Sequence, residues 1–449
     1  MSATYRDLKI AIVGAGMGGL ACALALAKKG FTDIEVFETA SNLGFVGAGI
    51  QLAPNMARVL DRLGCWADIE REAVDLKETS IRQGDLDKEL GHVDLRYIRD
   101  TYGYPHMVGH RSSLAGSLFA HCQKQAAIKF HFSTAASRVE SFSPKPSFQV
   151  TPRDGEPYTV TADVLLGADG LKSAIRTQIL SELKVDAQVI DTNQAAYRIM
   201  LKRSEMENDP ELLELIDSEK VTRWIGEKRH IIAYPVSSKQ IYNLSTVQPD
   251  INFASAPSAT YTTKGDKSVM MKVFDDFCPK VQRMLALVPD GEVCEWKLRV
   301  HSPLPTWVHG STALIGDACH PTLPHLAQGA ALAIEDAAVM AEVLARLPDT
   351  SAGTINKALR VYEELRKERA ETLVELAAAS GRALHLGDGE AKKERDRQFA
   401  ALKEKGGAVP DKWADADVQR QIYGHDCMLV AAESFEKLFG SIGESRSSL

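Results

Sequence analysis

The sequence predicts an α/β protein: a helix-covered parallel sheet, an antiparallel β layer inserted into it, and a helical C-terminal region. Three observations predict this. Strand, glycine turn, helix and second strand follow one another in the first forty residues, alternating β texture fills residues 188–299, and the chain beyond Ser351 is charged and helically periodic. At 449 residues the chain exceeds the size at which one core stops growing, so more than one domain is expected. The boundaries read as a discontinuous α/β domain over 1–74, 107–181 and 300–350, a β-sheet domain over 75–106 and 182–299, and a helical region over 351–449.

Lys9–Val13 is a short β-branched run, followed by Gly14-x-Gly16-x-x-Gly19 and an alanine- and leucine-rich helix through Lys29, closed by Gly30. Ile34–Glu38 is the second strand of this βαβ unit. Each glycine has a mechanical reason: Gly14 for the tight turn, Gly16 for close approach of the backbone to a pyrophosphate, Gly19 for helix–strand packing. The helix N-terminus offers free N–H groups and a positive dipole end to phosphates. Glu38, 24 residues after Gly14, stands where a carboxylate accepts from a ribose diol, and it favours FAD or NAD over the 2′-phosphate of NADP.

Gly47-Ala-Gly49-Ile-Gln is a second glycine-punctuated turn leading into the amphipathic stretch Met56–Leu63. Regular βα units do not follow it; Thr79–Arg82 and His92–Leu95 are short and strand-like, so a second layer begins there. His110-Arg111 opens a helix through Cys122, with serines available as caps and Arg111 placed for forked hydrogen bonds to a phosphate or flavin oxygen. A hairpin is expected around Pro152–Gly155. Asp163–Arg176 then reads as buried strand, Gly-Ala-Asp169-Gly turn and helix start, with Arg176 near enough to brace the loop.

Ala313–Ile315 is a further strand, Gly316-Asp317 its terminal turn, and Gly329 and Ala330 a permissive helix start. Pro321–Gly329 carries two prolines, which make a stiff loop. In the β layer, Ala195–Leu201, Thr222–Gly226, His230–Val236 and Ile241–Val247 alternate as an antiparallel sheet with one face free for a ligand. A period of two puts His230, Ile232 and Tyr234 on one face of a strand. With Arg198 they are the polar groups expected around a bound substrate.

Composition narrows the class. The net charge of -7 disfavours nucleic acid or an anionic membrane as partner. No window approaches the roughly 20 apolar residues of a membrane span, and the chain is expected to be cytoplasmic. Seven scattered cysteines without CxxC spacing imply neither a disulfide framework nor a metal site. The terminal Ser447-Ser448-Leu449 is only loosely like a peroxisomal address and is taken as chance. Ile355–Leu386 is strongly periodic; Glu390–Lys405 is polar on nearly every side and reads as a solvated face, with packing on the first domain or a dimer face as alternatives.

Gly14, Gly16 and Gly19 with Glu38, Gly167-Ala-Asp169-Gly170 with Arg176, and Gly316-Asp317 followed by His320-Pro321 together resemble the three fingerprints of group A flavoprotein aromatic hydroxylases, over about the first 345 residues. Gly47–Gln51, His110-Arg111 and Ala327–Ala330 are most similar to the salicylate hydroxylase and hydroxybenzoate 1-hydroxylase branch. The resemblance implies a p-hydroxybenzoate hydroxylase fold: a Rossmann-like FAD-binding domain with an inserted antiparallel substrate sheet. It further implies that Asp317 binds the FAD ribityl chain, that Asp169 serves both FAD and the nicotinamide cofactor, and that the helix from Gly329 faces the flavin pyrimidine ring. His325 stands where the salicylate-type pattern often has tyrosine.

The same resemblance implies an NAD(P)H- and O2-dependent monooxygenase acting through a C4a-hydroperoxyflavin, with Arg198, His230, Tyr234 and His325 as the catalytic side chains and no metal. NADH or NADPH would bind transiently to a monomer or homodimer. A small phenolic aromatic acid is the expected substrate, attacked with decarboxylation (salicylate to catechol or 4-hydroxybenzoate to hydroquinone). Hydroxylation of 3-hydroxybenzoate or a larger phenol without loss of CO2 is the second reading. A flavin-free escort protein on the same fold is the third, and the intact Glu38, Asp169 and Asp317 weigh against it.

Overall fold

The structure is a computed structural model that describes residues 4–44, 48–187, 189–253, 262–402, 410–413 and 415–442. Gly47 and Ser447–Leu449 lie outside them. The architecture is the mixed α/β one expected, with the first sheet, the inserted sheet and a helical C-terminal region.

The first sheet has six strands in the order Val308–His309, Thr312–Leu314, Val164–Gly167, Lys9–Val13, Asp33–Phe37 and Ile128–His131. All pairs are parallel except the edge pair Val308–His309 with Thr312–Leu314. The two glycine-bearing segments recognised in the sequence thus end on strands separated by one other strand. Helix Met17–Lys28 is apolar around its circumference because it is covered on both sides, by the sheet and by helix Gly329–Leu344. Its close seat explains two glycines. A Cβ on Gly19 would lie 2.0 Å from the Gly14 carbonyl oxygen, and Gly14 itself, at φ +104°, passes 2.4 Å from the Ala168 carbonyl oxygen by the same measure.

A larger sheet of eight strands runs Thr262–Lys264, Cys294–His301, Val189–Lys202, Ile241–Pro249, Arg229–Val236, Lys220–Gly226, Glu78–Gln83 and Glu89–Asp94. Alternation sorts its two faces. Tyr197, Ile199, Trp224, Ile231, Ala233, Tyr242 and Leu244 form a second core with helices Pro210–Asp217, Lys267–Val273 and Pro279–Ala286. The opposite face carries Arg198, Ile232, Tyr234, Asn243 and Ser245 and looks towards the first domain. Strand Gly49–Leu52 joins the layers: Gly49 N donates to Asn243 Oδ1 at 2.7 Å, and a Cβ on Gly49 would strike Asn243 and Tyr234.

The C-terminal region is anchored rather than peripheral. Helix Ala352–Leu384 lies along Gly329–Leu344, and helix Cys427–Ser441 packs against both. Most of helix Glu390–Leu402 is exposed, as its charges lead one to expect, but Phe399 is fully buried against the edge of the large sheet with Ile81, Leu90, Ile225 and Leu384. Arg395, also buried, donates to Leu384 O at 3.1 Å, so Phe399 and Arg395 together fasten a mostly solvated helix.

Helix Gly329–Leu344 buries two adjacent carboxylates, Glu335 and Asp336. Arg366 Nη1 lies 2.7 Å from Glu335 Oε2 and its Nε donates to Asp336 Oδ1 at 2.8 Å. Arg369 adds a forked pair to Glu335, with both contacts at 2.9 Å. Asp336 Oδ2 also accepts from Gly316 N at 3.0 Å and meets His320 Nε2 at 2.5 Å. Burial alone would raise both carboxyl pKa values; Arg369 and Arg366 beside Glu335, and His320 and Arg366 beside Asp336, hold them below the ordinary range. Arg366→Met therefore leaves two buried anions short of a cation, and we expect it to lower unfolding free energy by about 3–5 kcal/mol. Urea unfolding with an unchanged midpoint would contradict this.

Candidate active site

A cavity of about 440 Å³ opens between the two layers. Its floor is made by the turns that end the first-domain strands: Gly16, Met17 and Gly18, then Ala168 and Gly170, then Ile315, Gly316 and Asp317. Two helices begin at it. Neither Gly16, the N-cap of Met17–Lys28, nor Gln328, the N-cap of Gly329–Leu344, supplies a side-chain cap, and neither helix has an acid in its first turn. Their free N–H groups and positive dipole ends therefore face a shared cavity, an arrangement suited to a ligand with two electron-rich ends. No atom lies within 4 Å of where a Cβ on Gly16 would sit, so that glycine leaves room rather than filling a packing need.

Asp317 follows Gly316, whose φ of +62° turns the strand end into the cavity. The side chain lies deep in the protein yet stands exposed to this interior space. Burial raises its pKa, opposed by His320 and Arg111. Arg111, first residue of helix Arg111–Gln123, lines the cavity too. That helix is capped by His110, whose ring accepts from Ser112 N, and not by a serine. Gly49, Gly329 and Ala330 line the same space. Phosphate-binding helix ends, a carboxylate for polyol hydroxyls and a guanidinium together fit a flavin dinucleotide.

Two expected cofactor residues sit just behind the lining. Glu38 directly follows strand Asp33–Phe37 and accepts from Ala15 N and Ala40 N, each at 2.8 Å, so it fixes the glycine turn. Asp169 accepts from Ser173 Oγ at 2.5 Å, Ala174 N at 2.7 Å and Ile175 N at 3.1 Å, and so caps helix Ala174–Glu182. Arg176 braces this turn, donating to Leu171 O at 2.6 Å and Ala318 O at 3.1 Å.

The roof comes from the large sheet. Register places Arg198 opposite Ser245, Ser245 opposite Ile232, and Ile232 opposite Arg223, one row across four strands. The two arginines in that row differ. Arg223 is buried and paired with Asp411 at 2.8 Å. Arg198 stacks on Trp296, its Cζ 4.9 Å from the ring centroid, and the charged or ionisable groups acting on it are Arg111, Tyr234 and Cys294, none of them a carboxylate. Burial, then Arg111, lowers its pKa. Tyr234 is raised by burial and stays a phenol. Arg198 and Tyr234 thus present a cation and a hydroxyl to the cavity, and an anion placed there relieves the Arg198–Arg111 repulsion.

His230 and His325 are not in the lining. They sit beyond Ile232 in a buried cluster with His385, with ring centroids 5.5 Å apart for His230–His325, 4.9 Å for His230–His385 and 5.6 Å for His325–His385. Burial holds all three neutral: His230 well below its ordinary value, His325 down to about 3 and His385 to about 4. Sequence reasoning missed Asn243, Ser245, Arg223, Asp411 and His385. The period of two in Ile241–Val247 could have found Asn243 and Ser245; Asp411 and His385 arrive from remote segments without a local signal.

Cys319, His320 and Asp336 are the one group among the described residues whose ligand atoms all lie within 4.8 Å of one another. Asp336 is already paired with His320 and Arg366, and burial keeps the Cys319 thiol protonated, so these groups act as part of the ion network. No helix among the described residues is long and apolar enough to cross a membrane.

Asp317→Ala is expected to abolish retention of bound flavin, whereas Arg198→Ala keeps it; flavin absorbance of the purified proteins decides, and equal loss in both would make Arg198 part of the flavin cradle. The histidine cluster sets a pH dependence. As pH falls from the ordinary imidazole range towards about 4, the unfolded chain takes up protons that folded His385 refuses, so stability drops over that window. His385→Phe should flatten that slope in melting curves, and an unaltered slope would contradict the placement.

Comparison with known proteins agrees with this geometry. The family model for an FAD binding domain matches residues 7–377. The FAD-dependent monooxygenase atnJ of Arthrinium sp is 32% identical over 394 residues, covering 88% of this chain and 89% of that protein. The 3-hydroxybenzoate 6-hydroxylase 1 of Aquipseudomonas alcaligenes is 35% identical over 342 residues, covering 76% and 81%. A solved salicylate hydroxylase substrate complex shares the fold, with a TM-score of 0.77 at 23% identity over 97% of this chain and 98% of that one. A flavin-free escort role has no support among these relatives, and the chain belongs to the FAD-binding-domain family as a flavoprotein aromatic monooxygenase.

Proposed function

We propose that this enzyme uses NADH or NADPH and O2 to hydroxylate a small phenolic aromatic acid. The observation that carries the reading is Arg198: a guanidinium in the cavity roof without a carboxylate partner among the described residues, one row from Tyr234 and facing the first-domain turns. An aromatic carboxylate is the ligand that answers it, with the ring between the sheet and the flavin site. Ile232 lies two strand spacings, roughly 9–10 Å, from Arg198 along the row, and His230 follows on the same strand face. A hydroxybenzoate held at Arg198 by its carboxylate would extend its ring along this row towards Ile232, with Tyr234 on one side of Ile232 and His230 on the other.

Bound FAD would supply hydride acceptance from the nicotinamide and oxygen activation, and the free N–H groups at the helix start Gly329–Ala330 would be available to answer negative charge on it. The protein's own residues orient the ring, exclude water and ionise the substrate. Neutral His230 is matched to accept a phenol proton, and Tyr234 to hydrogen-bond the resulting oxygen. Ionisation raises electron density at the ortho and para carbons. Where the attacked carbon bears the carboxylate, CO2 leaves, which turns salicylate into catechol or 4-hydroxybenzoate into hydroquinone. His325 packs against His230 behind the lining. The reaction as proposed needs no metal, and a monomer or homodimer suffices.

A second reading keeps the carboxylate, as in hydroxylation of 3-hydroxybenzoate, and the relatives named 3-hydroxybenzoate 6-hydroxylase favour it. Incubating the holoenzyme with NADH or NADPH and 2-, 3- and 4-hydroxybenzoate, while following nicotinamide oxidation and product mass, separates the two. Loss of CO2 with gain of oxygen supports the first; gain of oxygen alone supports the second. Peroxide as the only product with every acid would overturn both.

A further inference from the structure

The geometry points to His385, at the end of the long C-terminal helix, as a positioning residue that fixes the tautomer of His230 and carries its proton to solvent when a bound phenol ionises. This rests on the reading of His230 as the acceptor of the phenol proton. His230 Nδ1 lies 2.6 Å from His385 Nε2, so one proton bridges the two rings. His230 is 3% exposed, while His385 is partly exposed. The pair therefore leads from a buried ring towards solvent.

His385 is held in place by its backbone. It caps helix Ala352–Leu384, donating to Gly381 O at 3.1 Å, and its carbonyl accepts from Lys228 N at 3.0 Å, which pins the helix end to the turn before His230. Gly381 makes the cluster possible, because a Cβ there would lie 2.5 Å from His325 Nε2. Among the described residues neither nitrogen of His325 has a hydrogen-bond partner, so His325 offers no competing route there.

A proton cannot simply rest on His230. Burial opposes an imidazolium there, and the groups facing it add to the opposition: His385 from the long helix, Arg223 from the adjacent strand, and His325 from the proline-bearing loop. Arg223 is itself paired with Asp411, and Arg223 and Arg395 both act on His385. Transfer through the pair avoids that charge. With the bridging proton on His230 Nδ1, the lone pair of His230 Nε2 takes the phenol proton, the Nδ1 proton passes to His385 Nε2, and the proton on His385 Nδ1 leaves to water. The phenol O–H bond breaks, one proton is released, both imidazoles end neutral, and no electrons change hands.

The test uses oxidised holoenzyme without nicotinamide and 3-hydroxy-4-nitrobenzoate, whose yellow phenolate reports ionisation directly. On rapid mixing below the pKa of the free phenol, wild type should form bound phenolate quickly. His385→Phe and His385→Gln should both slow its appearance at least about tenfold, with flavin content and probe affinity unchanged, and added imidazole should restore the rate in His385→Gly. Wild-type rates in both His385→Phe and His385→Gln would overturn the role of His385. The control is His230→Phe: slow ionisation there with fast His385 variants rejects the relay alone, whereas fast ionisation in His230→Phe rejects His230 as the proton acceptor, and the relay with it.

Discussion

Asp336 is the carboxylate on which the site is built. One oxygen takes Gly316 N and His320, the other takes Arg366, so a single buried side chain ties the strand-end turn, the proline-bearing loop and the C-terminal helix to the helix that carries it. The consequence reaches the cavity through Gly316: its backbone is held in a left-handed turn, and Asp317 follows into the cavity. Burying a carboxylate is unfavourable by itself, and the adjacent Glu335 doubles the problem. Arg366 and Arg369 answer both, which is why a charged C-terminal helix is part of the core.

The same logic separates structure from chemistry elsewhere. Charged groups that hold the fold are paired: Arg223 with Asp411, Arg366 with Glu335 and Asp336, Asp169 with its helix start. Groups that face the cavity are left open among the described residues: Arg198 without a carboxylate, Asp317 exposed to interior space, and two helix N-termini without side-chain caps. An active site is recognisable here as the place where the protein declines to satisfy its own polar groups and leaves that to a cofactor and a substrate.

Much of this was legible in the sequence because its signals are local. The glycines at 14, 16 and 19, the turn at Gly316-Asp317 and the period of two in His230–Tyr234 each encode a backbone shape within a few residues. The placing of Glu38 and Asp169 shows the limit of such reading. Each stands at the predicted turn, yet each spends its carboxylate on backbone N–H groups, a detail that depends on which donors the fold brings close. The histidine cluster was illegible for a stronger reason. His230, His325 and His385 come from a strand, a loop and a distant helix end, and only the packing of the C-terminal region onto the large sheet unites them. Phe399 shows the same in reverse, since a buried ring within a charged helix helps seat that helix on the large sheet.

In the proposed reaction the cradle and the roof form one oxygenating site, with an aromatic acid between Arg198 and the flavin. Turnover of the accepted hydroxybenzoate under ¹⁸O₂ tests this. One labelled oxygen is expected in the aromatic product for each nicotinamide oxidised. Unlabelled aromatic acid recovered beside labelled hydrogen peroxide would contradict it.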